Sequence, residues 1–225
     1  MTDISKILTS PVGKPLSKTA YDLIRQKIVS LELAPGNVID ENSLREQLEL
    51  GRTPIREALQ RLALEQLVTI IPRRGMFVTE IRLTDLQRLF EVRVPLEAQA
   101  ALLAARRGTR QHWDDMQAVL DNIPSGVYNG HPENETLMQH DQACHQIMYA
   151  AADNSFLTDT LTNLYTLSLR LWYFTLQDME DVEGAVAQHQ AILNALRDGK
   201  DNEAADLVEK HIRHFQEEIQ AVMLK

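Results

Sequence analysis

The run Gly51-Arg52-Thr53-Pro54-Ile55-Arg56-Glu57-Ala58-Leu59-Gln60-Arg61-Leu62 constrains this chain most tightly. Ile55, Ala58, Leu59 and Leu62 recur at i, i+3, i+4 and i+7, so on a helix they form one apolar stripe. Arg56, Glu57, Gln60 and Arg61 then project from the other side. Thr53 is expected to cap this helix and Pro54 to take its first position, because neither needs the amide hydrogens a helix start leaves free. Two β-prone runs follow, Val68-Thr69-Ile70-Ile71 and Met76-Phe77-Val78-Thr79. The Pro72-Arg73-Arg74-Gly75 between them predicts a hairpin with a basic tip. A solvated face is the ordinary reading of an arginine-bearing helix. A helix packed on one side and offering Arg and Gln on the other also suits base edges in a major groove.

Upstream, Ala20, Leu23, Ile24, Ile28 and Leu31 have helical spacing over Ser17 to Leu31, closed by Ala34-Pro35-Gly36. A short helix is expected from about Asn42 to Leu50, with Leu44 and Leu48 on one face. Three helices and a two-stranded wing predict a winged helix-turn-helix over residues 16–81. Residues 1–15, polar and broken by Pro11, Gly13 and Pro15, read as a flexible arm rather than a signal peptide.

The net charge of −9 argues against nucleic acid until it is divided along the chain. Residues 1–80 hold 11 Lys and Arg against 10 Asp and Glu, whereas residues 81–225 hold 12 against 22. The acidity belongs to the second part. Counterion release depends on local phosphate contacts, not on whole-chain charge. A near-neutral head implies modest affinity, which two heads on one palindrome repair by effective concentration. The single Cys144 permits no internal disulfide and points to a reducing, cytoplasmic compartment. No apolar run approaches the roughly 20 residues that span a bilayer, so no membrane partner is expected.

Beyond Ile81 the chain reads helical almost throughout, with helices expected near 84–107, 110–122, 134–152, 155–178, 181–198 and 201–223. Thr84 with Gln87 suggests a capping box, and Pro95 should kink the first of these helices. The predicted architecture is mainly α: the winged head, then an antiparallel six-helix bundle over 84–223. Asp141 and His145 lie four apart and share one helix face. His189 and His211 fall on the last two helices. Singly, each histidine is an ordinary buried or surface residue. Bundle cores do converge ligands on metals, and imidazole with carboxylate suits Zn, Ni, Fe or Mn. Spacing alone does not establish that convergence. Arg93 and Glu97 either form a weak i,i+4 pair or leave Arg93 to grip a carboxylate ligand. Trp172, Tyr173 and Phe174 read as core or interface aromatics.

The stretch from Leu16 to Ile81 resembles the DNA-binding domain of the GntR family of bacterial transcription regulators. The resemblance rests on Ala34-Pro35-Gly36, the block from Arg52 to Leu59, Arg61-Leu62 and Arg74-Gly75. It implies that Arg52, Thr53 and Arg56 contact double-stranded DNA and that Gly75 lies at a wing tip entering the minor groove. Glu49-Leu50-Gly51 departs from the family's usual Gly-Val-Ser, so a different operator is expected. Arg45 stands where a small residue is usual and is either a phosphate contact or a surface arginine. Residues from about 84 to 220 resemble the FCD ligand-binding domain of the FadR-type branch, nearer in length to its VanR-like group. That likeness implies a divalent metal, zinc foremost, held by Asp141, His145, His189 and His211. Gln188 replaces a common acidic residue, which weakens the expected outer support of His189. The resemblance further implies a homodimer on a pseudo-palindromic operator, with a small carboxylate effector near Arg93 controlling repression. The same four residues also admit a metalloenzyme that activates water, or a metal that only staples the bundle.

Overall fold

The structure, a computed structural model, describes residues 15–123, 131–175 and 188–224, with the backbone alone for 131–135. Residues 1–14 of the arm, the loop after Pro124, residues 176–178 and the start of the helix expected from 181 lie outside the described residues. The chain divides into two compact units, Met1–Glu80 and Ile81–Lys225.

The first unit has helices α1 (Leu16–Val29), α2 (Glu41–Leu48) and α3 (Arg52–Leu64), then strands β1 (Val68–Ile71) and β2 (Gly75–Val78). Ile55, Ala58, Leu59 and Leu62 of α3 are buried, as the stripe predicts, against Ala20, Ile24 and Ile28 of α1 and Leu44 of α2. Leu23 departs from its expected place and is exposed; Tyr21 and Val29 are buried instead. The expected Thr53 cap does not form. Gly51 is the N-cap, without a side-chain bond, and α3 starts at Arg52. This puts Thr53 and Pro54 in the first turn, where the amides of a helix have no internal partner and the missing N–H of proline costs nothing. The strands pair antiparallel from Val68↔Val78 to Ile71↔Gly75. Gly75 has φ +109°, which only glycine takes readily.

Among its described residues the second unit has six helices: α4 (Leu83–Arg107), α5 (Arg110–Asp121), α6 (His131–Ala151), α7 (Ser155–Thr175), α8 (His189–Arg197) and α9 (Asp201–Met223). Arg82, not Thr84, is the N-cap of α4, and it makes no side-chain cap bond. Pro95 lies inside α4 without ending it. α4 packs along α9, and also against α6 and α7. The core these helices share includes Leu86, Phe90, Met148, Trp172, Val208 and Ile212. Trp172 is wholly buried, whereas Phe174 is exposed. At Gly108 the chain turns under Trp113: a Cβ there would lie 2.1 Å from Trp113 Cζ2 and 2.7 Å from the Ala104 oxygen.

Candidate metal centre and nucleic-acid interface

In the first unit, burying one stripe of α3 leaves Arg52, Thr53 and Arg56 exposed on its first turns. Glu41 opens α2, where Asp40 accepts a bond from the Asn42 amide and a carboxylate complements the helix dipole. Its Oε2 accepts from Arg56 Nε at 2.8 Å and lies 3.9 Å from Arg52 Nε. Sequence reasoning missed Glu41. Its signal is modest, an acidic residue at a helix start shortly before an arginine-rich helix. Arg61 serves the fold: it bonds Glu65 at 3.1 Å and lies 3.8 Å over the Tyr21 ring. Burial and Glu65, which accepts the Tyr21 hydroxyl at 2.7 Å, push that phenol up to about 12. Arg45 is exposed, with Asn42 Oδ1 at 3.4 Å. Arg73, Arg74 and Gly75 form an exposed hairpin tip.

In the second unit, three helices bring Asp141 and His145 (α6), His189 (α8) and His211 (α9) together. One ligand atom from each lies within 4.8 Å of the others, and all four residues are buried. Asp141 Oδ1 is 3.8 Å from His145 Nε2, 3.6 Å from His189 Nε2 and 3.5 Å from His211 Nε2. The Nε2 atoms of His145 and His211 are 3.4 Å apart. A tetrahedral site with bonds of about 2.0–2.2 Å has edges of about 3.3–3.6 Å, so these four spacings come close to those around one small cation.

The outer contacts sharpen the fit. His145 Nδ1 lies 3.2 Å from Glu97 Oε2, and His211 Nδ1 lies 3.2 Å from Gln188 Oε1. A carboxylate and an amide oxygen only accept, so both imidazoles donate outward from Nδ1. In their neutral forms their Nε2 lone pairs then face each other and Asp141, an arrangement a cation relieves. Burial lowers the pKa of His211, only partly offset by Asp141, which favours the neutral ligand form. Burial alone would raise the Asp141 carboxyl. The three histidines outweigh it and hold Asp141 well below the usual carboxylate range. Tyr165 donates to Asp141 Oδ2 at 2.6 Å. Gln188 supports His211, not the neighbouring His189 that sequence reasoning paired it with.

Arg93 and Glu97 do form the i,i+4 pair, at 2.9 Å, but inside the protein, where the small value of a surface pair does not apply. Arg93 also lies 4.9 Å from the Tyr165 ring centre. Tyr149 donates to Glu97 at 2.5 Å. Burial would push the Glu97 carboxyl up, but His145, Arg93 and the bonds from His145 and Tyr149 hold it down at about 2. A cavity of about 10 Å³ beside the centre, room for about one water, is lined by Gln142, His145, Gln146, Tyr149, Thr162 and Tyr165. Cys144 is buried, and burial raises its thiol far from a reactive thiolate.

Residues 16–78 match the family described as bacterial regulatory proteins of the gntR family, and residues 88–214 match the FCD domain. The HTH-type transcriptional repressor RspR of Escherichia coli (strain K12) is 26% identical over 211 residues, covering 93% of this chain and 91% of that protein. The Nta operon transcriptional regulator of Aminobacter aminovorans is 29% identical over 195 residues, covering 86% and 90%. Among solved structures, E. coli McbR/YncC shares the fold with a TM-score of 0.78 at 19% identity, covering 90% of this chain and 95% of that one.

Proposed function

Because the chain belongs to the GntR family of bacterial regulatory proteins and carries an FCD domain, which makes it a DNA-binding transcription regulator and not an enzyme, we propose that it is a repressor controlled by a small carboxylate bound at a divalent metal in its helical unit. The observation that carries this reading is the buried convergence of Asp141, His145, His189 and His211. Zinc suits the set best, with Ni, Fe and Mn as alternatives.

Charge supports the effector class. Arg170 is also buried, but the charges interacting at the centre itself are Asp141 and Glu97 against Arg93, with the three histidines neutral as metal ligands must be. A divalent cation leaves this region one positive charge in excess, which a monocarboxylate neutralises. When bound, the metal supplies a Lewis-acidic position for a carboxylate oxygen. Arg93 commits its Nε to Glu97 and adds positive charge beside the centre, which in this reading draws the effector carboxylate. The small adjacent cavity means that Gln142, Gln146 and neighbouring parts of α6 and α7 must move to admit anything larger than water. Such movement is a route by which ligand occupancy selects one arrangement of the protein.

Residues 16–81 bind DNA in this reading, with Arg52, Thr53 and Arg56 in the major groove and Gly75 at the minor groove. Residues 84–223 bind the effector and dimerise, so that two near-neutral heads share one pseudo-palindromic operator in the cytoplasm. The test is a gel-shift titration of the zinc-loaded protein on a duplex enriched from a random library, with and without a panel of monocarboxylates. At least one acid should raise the operator Kd of the wild type and leave Asp141→Ala unmoved. Equal affinities for every acid, or an equal response in Asp141→Ala, would overturn the reading.

A further inference from the structure

Glu97 is wholly buried on α4, a helix that supplies none of the four clustered residues. Its two oxygens have separate partners. Oε1 accepts from Arg93 Nε at 2.9 Å and from the Tyr149 hydroxyl at 2.5 Å. Oε2 faces His145 Nδ1 at 3.2 Å. Two donors on one oxygen fix the carboxylate plane and aim the other oxygen at the imidazole. A partner for Arg93 alone would not need the second oxygen held on His145.

We propose that Glu97 is the positioning residue that locks His145 in its Nδ1–H form, leaving the Nε2 lone pair directed at the metal and making α4 part of the metal centre. The assignment rests on the metal reading given above. A carboxylate behind a ligating imidazole fixes its tautomer and ring orientation and raises its basicity. Among the described residues His211 has the neutral Gln188 amide in that role, and Asp141 has the Tyr165 hydroxyl. His145 is therefore a ligand whose donor strength depends on a buried charge. α4 begins at Leu83, five residues after β2 ends at Val78. Glu97 thus ties occupancy of the centre to the helix that continues the chain out of the wing.

The test has two arms. Long-range 1H–15N correlation spectra of metal-free protein labelled at histidine should show His145 protonated at Nδ1 and bare at Nε2. Competition titration with zinc against a chromophoric chelator should show Glu97→Gln binding about 10–100-fold more weakly than wild type, with the His145 lock lost. Glu97→Gln leaves Arg93 without its carboxylate, so Arg93→Met/Glu97→Gln serves where the single variant does not fold, with the same expected loss. Tyr149→Phe, which keeps the charge, should weaken zinc less than either. His145 protonated at Nε2 in the wild type, or unchanged zinc affinity in the folded variants, overturns the assignment. A wild type that binds no zinc while His145 keeps its Nδ1 proton removes the metal reading, and the positioning role falls with it.

Discussion

Arg56 and Arg93 are each held by a glutamate, and these two pairs do opposite things. Arg56 and Glu41 meet at 2.8 Å at the surface of the first unit, with 49% and 24% of their side chains exposed. Arg93 and Glu97 meet at 2.9 Å inside the second, with 2% and 0% exposed. The outer pair is weak in water and can exchange its carboxylate for a phosphate or a base edge. The inner pair has no competing solvent, so each charge depends on the other and on the groups around them. Exposure, not residue type, separates a group built to change partners from one built to hold a site still.

The largest effect should come from splitting the inner pair. Arg93→Ala leaves Glu97 buried without its cation and should cost about 3–5 kcal/mol, read by urea denaturation of metal-free protein. A loss as small as that of a surface pair would dissolve the contrast. Arg56→Ala should leave the urea midpoint unchanged and weaken operator binding by about 1–3 kcal/mol. Unchanged operator binding would remove Arg56 from the reading face.

A smaller effect should follow pH. Burial lowers the pKa of His211 from its usual 6.5, so the unfolded chain takes up a proton there that the folded chain resists. Stability of the metal-free protein should fall as pH drops below about 6.5, by at most about 1.4 kcal/mol per unit for this one group. A denaturation midpoint that rises from pH 7 to pH 5.5 would contradict this sign. The smallest effect should be Glu41→Ala, worth less than about 1 kcal/mol of stability. A loss as large as that of Arg93→Ala would show the outer pair to be structural.

The same contrast explains what the sequence made legible. Ile55, Ala58, Leu59 and Leu62 announced the buried face of α3, because helical period and burial follow from local spacing. Asp141 and His145 were legible as a pair for the same reason. That His189 and His211 join them came only from family likeness, since spacing within one helix says nothing about where another helix docks. Glu97 was visible as the partner of Arg93, four residues away. Its bond to His145 spans 48 residues and has no local signature. The Tyr165 hydroxyl reaches Asp141, 24 residues away on another helix, so it too has no local signature. The capping predictions at Thr53 and Thr84 failed because α3 and α4 each begin two residues earlier than a capping threonine would require.

The most direct test is the metal content of untagged protein purified without chelator, measured by elemental analysis beside Asp141→Ala and His189→Ala. The account predicts about one divalent ion per chain in the wild type, absent from Asp141→Ala and depleted in His189→Ala. Wild-type protein that stays metal-free after supplementation, or full metal retention in both variants, would contradict it.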